Sequence, residues 1–389
     1  MTLGQRLEDT AWRPTGFDYL RIVLACLVVA FHSTGLCYGD AFAYAFDREP
    51  GIHAATMIVL PMFFSLSGFL VAGSMARSRS LVGFLGLRLI RIYPALSVEM
   101  ILSALLLGTI FTTLPLRQYF TDHLFFRYLL NVTGDVSFYL PGVFEHNPLP
   151  RLVNYQLWTV PFELYCYMII SFFIVSGLVK RPKALLAAVM ALQILRFGHH
   201  ILTNYHNVFA EKFAGHVAGP QLLMSFMAGV LLYQFKDRAP WRKELGVLSG
   251  IASLALFSVP LGEYLGVFTA AYFTVFLGLL NPRKLAVLQG ADYSYGVYLY
   301  GWPVQQALVA TGPWARHWWV NIIISLALAT GFAALSWRFV EKPALNLKGH
   351  LRQVEDRWLV LTQAIKTRLR SSPLAPASDD APVKAAPEG

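Results

Sequence analysis

The stretch DYLRIVLACLVVAFHS, residues 18–33, has the apolar density of a membrane span, yet it carries Asp18, Arg21 and His32. Ionisable side chains are costly at bilayer depth, and where they occur they face a protein interior or a polar path. Arg21 and His32 are eleven residues apart, which on a helix is about 20° off a whole number of turns, with a rise of roughly 16 Å. The two therefore share a face. Asp18, three residues before Arg21, joins that face within ion-pairing reach. A helix here presents a polar stripe reaching across much of a membrane.

The rest of the chain has the same character. Its 389 residues are 56% hydrophobic and 14% charged, where a soluble domain carries about 25% charged residues. Runs of about 20 apolar residues, the length one spanning helix needs, lie at 17–37, 54–76, 92–113, 155–178, 184–203, 219–235, 245–260, 264–281, 292–311 and 318–339. They predict an all-α integral membrane protein of about ten transmembrane helices. The loop 38–53 holds Asp40, Asp47 and Glu49 against Arg48, whereas Arg77/Arg79/Arg88, Lys180/Arg181/Lys183, Lys236/Arg238/Arg242/Lys243 and Arg283/Lys284 occupy alternate connections. By the positive-inside rule both termini are then cytoplasmic.

The net charge of +10 lies in these short loops and the tail, so it sets topology and is no nucleic-acid footprint. Cys26, Cys37 and Cys166 lack metal-ligand spacing and read as small hydrophobes. The N-terminus lacks signal-peptide order, so the first span is expected to remain a working helix. Residues 1–345 are expected to form one membrane domain. Residues 346–389 read as a cytoplasmic basic and Pro/Ala-rich tail, largely disordered, with a basic helix over 345–366 and no further folded domain. The long outer loop 114–154 includes TDHLFFRYLLNV, an expected short interfacial helix.

Further polar groups stand in or beside the spans. Arg88 and Arg91 in LRLIRIYP sit at i and i+3 on the approach to the third span. Two guanidiniums on one face suit phosphate through bidentate hydrogen bonds; arginines that only meet lipid headgroups would look the same. In PMFFSLSGFLVAG, Pro61, Ser67 and Gly68 suit close helix packing. In LWTVPFE, Pro161 is expected to free a backbone carbonyl, and Glu163 is a functional candidate because it lies at membrane depth. Glu99 is a second such carboxylate, equally well read as the partner of a buried Arg or His.

Taken in order, these segments resemble the type-3 membrane acyltransferases, bacterial multi-pass proteins that O-acylate extracytoplasmic glycans. The resemblance covers roughly residues 15–345. Arg21 and His32, preceded by Asp18, match the family's Arg-x10-His pattern, and FFSLSGFL is similar to its Phe-x-x-Ser-Gly-Phe segment. Arg88, Arg91 and Pro94 match Arg-x-x-Arg-x-x-Pro, and Trp158, Thr159 and Glu163 match Trp-Ser/Thr-Leu-x-x-Glu. YSYGVYLYGWP and FVEKP resemble its two closing motifs, with Gly301 where many members have His.

The resemblance implies transfer of an acyl group, acetyl by family habit, from cytoplasmic acyl-CoA to a hydroxyl of an extracytoplasmic glycan or glycolipid. It implies a multi-pass protein of the bacterial inner membrane, with acyl-CoA as co-substrate and no bound cofactor or metal. Arg88 and Arg91, helped by Arg21, are the expected CoA-phosphate site. His32 is the expected catalytic group, as general base or transient acyl carrier, with Glu163 fixing its tautomer. Ser67, Thr159 and Trp158 are candidate oxyanion donors; Asp18 and Gly68 are expected in support. The competing class is a transporter or flippase of a lipid-linked glycan using the same buried charges. The paired arginines, the asymmetric motif set and the lack of an internal repeat favour the enzyme.

Overall fold

The computed structural model describes residues 1–203, 217–285 and 291–371. The Pro/Ala-rich end of the tail, 372–389, lies outside the described residues. Within them the chain is helical, with only three isolated bridges and no strand.

Local chemistry sets the helix starts. α1 (Leu3–Asp9) opens on a capping box in which Thr2 and Gln5 satisfy each other's backbone donors. α2 (Gly16–Tyr38) carries the polar stripe, and α3 (Asp40–Asp47) turns back beside it. α4 (Pro50–Arg77) follows. α5 (Leu81–Leu102) is capped by Ser80, whose Oγ accepts from Gly83 N at 3.0 Å. It continues through a π-turn at Ser103–Leu107 into α6 (Gly108–Phe111). This helix begins eleven residues before the expected span at 92–113, so Arg88 and Arg91 lie inside it. Their charge set the expected boundary too late; the Ser80 cap sets the real one.

α7 (Leu116–Thr121) and α8 (His123–Leu129) build the long loop. α8 is the short helix read from TDHLFFRYLLNV; Asp122 caps it through Leu124 N at 2.8 Å. A 3-10 turn at Tyr155–Thr159 leads into α9 (Val160–Val175). Pro161 thus sits in the first turn of α9, where its missing N–H is no loss. It opens the helix and frees no carbonyl from within α9, contrary to expectation. The chain goes on through α10 (Pro182–Thr203), α11 (Gly219–Gln234), α12 (Lys243–Phe257), α13 (Glu263–Gly278), α14 (Ser294–Ala310), α15 (Trp318–Ser336), α16 (Lys342–Leu345) and α17 (Lys348–Ser371).

Six helical runs among the described residues are long and apolar enough to cross a membrane: Gly16–Tyr38, Gly51–Arg77, Leu81–Phe111, Tyr155–Val175, Pro182–Thr203 and Trp318–Gln363. The other four expected spans are helices α11 to α14, of 16, 15, 16 and 17 residues. At 1.5 Å per residue such helices reach roughly 22–26 Å, short of a hydrocarbon core of about 30 Å. The ten expected runs thus correspond to six helical runs of spanning length and four shorter helices. α11 and α14 are also among the most buried helices, wrapped by the longer ones.

α4 is the central post, packed on α11, α13, α12 and α2, while α14 packs on α15 and α2. Lipid offers no hydrophobic drive between helices, so close backbone approach decides their packing. A Cβ built on Gly68 would lie 2.0 Å from the Phe226 carbonyl oxygen, and one on Gly229 would lie 2.1 Å from that of Ser65. The α4–α11 contact is therefore reciprocal, and Gly68 serves it directly. Gly68→Val is expected to destabilise the protein by about 1–3 kcal/mol or more through overpacking against backbone. Gly331→Ala on α15, where a Cβ meets open space, is the neutral control; thermal unfolding in detergent compares them.

Connections assigned to one side by charge alternation meet at one end of the molecule. Leu3 N donates to Ala239 O at 2.9 Å, Trp241 N to Met1 O at 2.9 Å, and Thr15 Oγ1 to Pro282 O at 2.6 Å. At the other end the long loop closes over α14, with Trp302 Nε1 donating to Leu152 O at 3.0 Å and Gln306 Nε2 to Leu149 O at 2.9 Å. α17 stands where a basic helix over 345–366 was expected. It docks on the start of α5: Ser80 Oγ donates to Glu355 Oε1 at 2.6 Å, and Arg79 pairs with Asp356 at 3.0 Å.

Candidate active site

At the basic end, α2 contributes Arg21 and α5 contributes Arg88 and Arg91. Three guanidiniums together demand a counter-charge, and Asp292, just ahead of α14, supplies it. Asp292 Oδ2 accepts from Arg91 and, at 3.2 Å, from Arg21. Its Oδ1 accepts from Ser294 Oγ at 2.5 Å and Ser294 N at 3.3 Å, so the same carboxylate is tied to the first residue of α14. Asp18 lies 3.8 Å from Arg21 and accepts from Lys284 Nζ at 2.6 Å; it belongs to this scaffold. Arg88 makes no ion pair among the described residues, and its Nε is buried without an acceptor. Asp292→Asn is expected to cost roughly 1–3 kcal/mol, less than a fully buried pair, because the Arg91 side chain is 38% exposed. Asp292→Glu should recover part of that loss in the same thermal assay.

These arginines line a narrow cavity of about 140 Å³, together with Ser67, Glu163, Tyr167 and a run of apolar walls that includes Phe63, Phe64 and Leu70. Glu163 lies in the first turn of α9, where the helix dipole favours a carboxylate. Its Oε1 accepts from Tyr167 Oη at 2.5 Å. The expected pairing of Glu163 with His32 is not formed: Glu163 faces the arginine cavity, one compartment away.

Glu99 is corrected as well. It is 1% exposed and meets no Arg or His among the described residues; Ser103 Oγ donates to it at 2.6 Å at the π-turn.

His32 lines a second, much larger cavity of about 1010 Å³ at the loop end, at the upper limit of ordinary ligand pockets. Its ring meets the Trp302 ring edge-to-face, centroids 4.8 Å apart, and makes no hydrogen bond among the described residues. Around it stand Trp158, Tyr155, Tyr44 and Phe138, with Asp40, Asp47 and Arg48. Flat aromatic faces with a few carboxylates form a surface suited to a hydroxyl-rich ligand. Burial pushes the Asp47 carboxyl up to about 6. Because that is above its unfolded value, ionising it as pH rises through 6 works against the folded state.

Behind His32, Ser33, Gln305 and Asn321 form a fully buried polar cluster joining α2, α14 and α15. Gln305 Nε2 donates to Ser33 Oγ at 2.7 Å and Val29 O at 2.8 Å, and Ser33 Oγ donates to Asn321 Oδ1 at 3.0 Å. This pins the helix turn that carries His32. Gly301 belongs to the same seam: a Cβ there would come 2.7 Å from Val29 Cγ2. The position allows α14 to approach α2, and Trp302, its neighbour, reaches the imidazole.

Two groups of sequence-derived candidates thus emerge. Arg21, Arg88, Arg91, Glu163 and Ser67 share the arginine cavity; His32 and Trp158 share the loop-side cavity. Thr159 lines both, as do Leu60 and Tyr298. Sequence reasoning missed Asp292, Tyr167 and Tyr298. Asp292 had a signal: three arginines at membrane depth need a carboxylate, and this one flanks a predicted span.

The family model described as an acyltransferase domain matches residues 15–338. Nodulation protein 10 of Rhizobium leguminosarum bv. viciae is 31% identical over 385 residues, covering 90% of this chain and 98% of that protein. The O-acetyl transferase of Shigella phage Sf6 is 25% identical over 341 residues, covering 85% and 96%. No solved structure matches the chain. The motif set, the paired cavities and a family match running almost from end to end agree, and the chain belongs to the type-3 membrane acyltransferases.

Proposed function

We propose that this protein is a bacterial inner-membrane O-acetyltransferase, with acyl-CoA as donor and a hydroxyl of an extracytoplasmic glycan or glycolipid as acceptor. The observation that carries this reading is that two cavities of opposite chemistry, one cationic and narrow, one wide and aromatic, share a wall. A donor with a phosphorylated head and a long thin arm suits the first; a sugar suits the second. The phage relative's name, O-acetyl transferase, supports acetyl as the group.

In this reading Arg88, the arginine without an ion pair, meets the CoA phosphates at the cavity mouth. Arg91 and Arg21 share the single Asp292 carboxylate, which positions them and leaves the site net positive. Glu163 and Tyr167 form the polar wall facing Arg88. The pantetheine arm follows the apolar walls towards Thr159. In the loop-side cavity neutral His32 takes the proton of the acceptor hydroxyl as its oxygen attacks the thioester carbon, then returns the proton to the departing sulfur. The products are an ester and free CoA thiol, so atoms and protons balance.

The test is mass spectrometry of envelope glycans from cells with and without the gene. Loss of one acetyl increment on a single glycan class is expected. Unchanged acetylation, with a glycan retained on the wrong side of the membrane, would instead favour lipid-linked glycan transport.

A further inference from the structure

Leu60, Thr159 and Tyr298 line both cavities, and the polar part of this shared wall is a pair of hydroxyls. Thr159 Oγ1 and Tyr298 Oη are 2.6 Å apart, and Tyr298 Oη donates to the Gln156 carbonyl at 2.7 Å. A phenol has one proton; with that proton on the Gln156 carbonyl, Thr159 is free to donate to Tyr298, and its Oγ1 also lies 3.3 Å from the same carbonyl. The two side chains come from different elements, Thr159 from the 3-10 turn ahead of α9 and Tyr298 from α14. Phe63 meets the Tyr298 ring at 6.2 Å between centroids. Gln156 is itself tied down, its Nε2 donating to Leu299 O at 2.8 Å and to Asn154 Oδ1. The Gln156 carbonyl is thus part of a fixed frame, and the hydroxyl–hydroxyl contact lies on the wall that both cavities share.

Resting on the acyl-transfer reading above, we propose that Tyr298 and Thr159 form the acyl gate, and that Tyr298 is a catalytic residue. When the thioester reaches the shared wall, the pair separates and the Tyr298 O–H turns from the Gln156 carbonyl to the thioester carbonyl. As the sugar oxygen bonds to the carbonyl carbon, the π electron pair moves onto the carbonyl oxygen, where the Tyr298 proton holds it. Collapse re-forms C=O, breaks C–S and sends the sulfur out with the proton carried by His32. Tyr298 keeps its proton throughout. Thr159 closes the passage again behind the leaving thiol and keeps water of the wide cavity away from the waiting thioester.

Native membranes holding the endogenous acceptor, given radiolabelled acetyl-CoA, test this with Tyr298→Phe, Thr159→Val and Thr159→Ser. Tyr298→Phe keeps the ring and its contact with Phe63. It is expected to lower the limiting rate of glycan labelling by about 10²–10³-fold, as loss of one oxyanion donor does, with half-saturating acetyl-CoA unchanged. In membranes from cells lacking the acceptor, Thr159→Val is expected to release acetate from acetyl-CoA, whereas Thr159→Ser, which keeps the hydroxyl, is expected to release no more acetate than the wild-type protein. A Tyr298→Phe protein within threefold of the wild-type limiting rate overturns the proposal. So does a loss that appears wholly as weaker acetyl-CoA saturation. If Tyr298→Phe fails to insert, the two Thr159 variants decide it: equal leakage from both, or none from either, overturns the gate. Wild-type membranes that label no glycan would sink the acyl-transfer reading itself, a different outcome.

Discussion

Replacing His32 with alanine is predicted to lower glycan acetylation by about 10²–10⁴-fold, the usual contribution of a positioned general base, while the protein still inserts and elutes normally. The expectation of normal folding comes from the geometry. His32 makes no hydrogen bond among the described residues and contributes one ring contact, with Trp302 at 4.8 Å. The helix turn that bears it is fixed from the next residue, through Ser33, Gln305 and Asn321. Acetyl-CoA binding should survive, because the arginine cavity does not include His32. Radiolabelled transfer measured alongside acetyl-CoA binding separates the two effects. Near-normal transfer in a stably inserted His32→Ala protein would remove the base from the mechanism.

Arg88→Ala is predicted to raise the acetyl-CoA concentration for half-saturation by roughly 10- to 150-fold, with a much smaller change in the limiting rate. One hydrogen bond to a charged group contributes about 1.5–3 kcal/mol, and each 1.4 kcal/mol is tenfold in affinity. Arg88 is singled out because Arg91 and Arg21 already share Asp292, whereas Arg88 has no carboxylate in ion-pair reach among the described residues. Arg91→Ala should therefore differ in kind, lowering thermal stability along with activity. Arg88→Lys should recover little, since a point charge does not reproduce a bidentate fork. Equal saturation curves for Arg88→Ala and wild type would relocate the phosphate site.

Much of this arrangement is legible in DYLRIVLACLVVAFHS. Helical spacing alone puts Arg21 and His32 on one face, and the structure gives each end of that stripe its own cavity. The arginine cluster is equally visible, because i and i+3 on a helix leave two guanidiniums no choice but to neighbour each other. What escaped is what depends on where helices begin. Glu163 sits in the first turn of α9 and faces the arginine cavity, not His32, and the Ser80 cap drew Arg88 and Arg91 inside α5. The lengths of helices such as α11 and α14 escaped too, because apolar content reports burial and not where a helix ends. Tyr298 escaped for another reason: its role depends on a partner from a distant segment, Thr159, which no local period reveals.

The most direct test uses inverted membrane vesicles with radiolabelled acetyl-CoA outside, against the original cytoplasmic face, and the acceptor glycan in the lumen. Wild-type protein is predicted to deliver label to the lumenal glycan, and His32→Ala and Arg88→Ala to deliver little at the same acetyl-CoA concentration. Label reaching the glycan only when acetyl-CoA is sealed in the lumen with it would contradict transfer across the membrane through the two cavities.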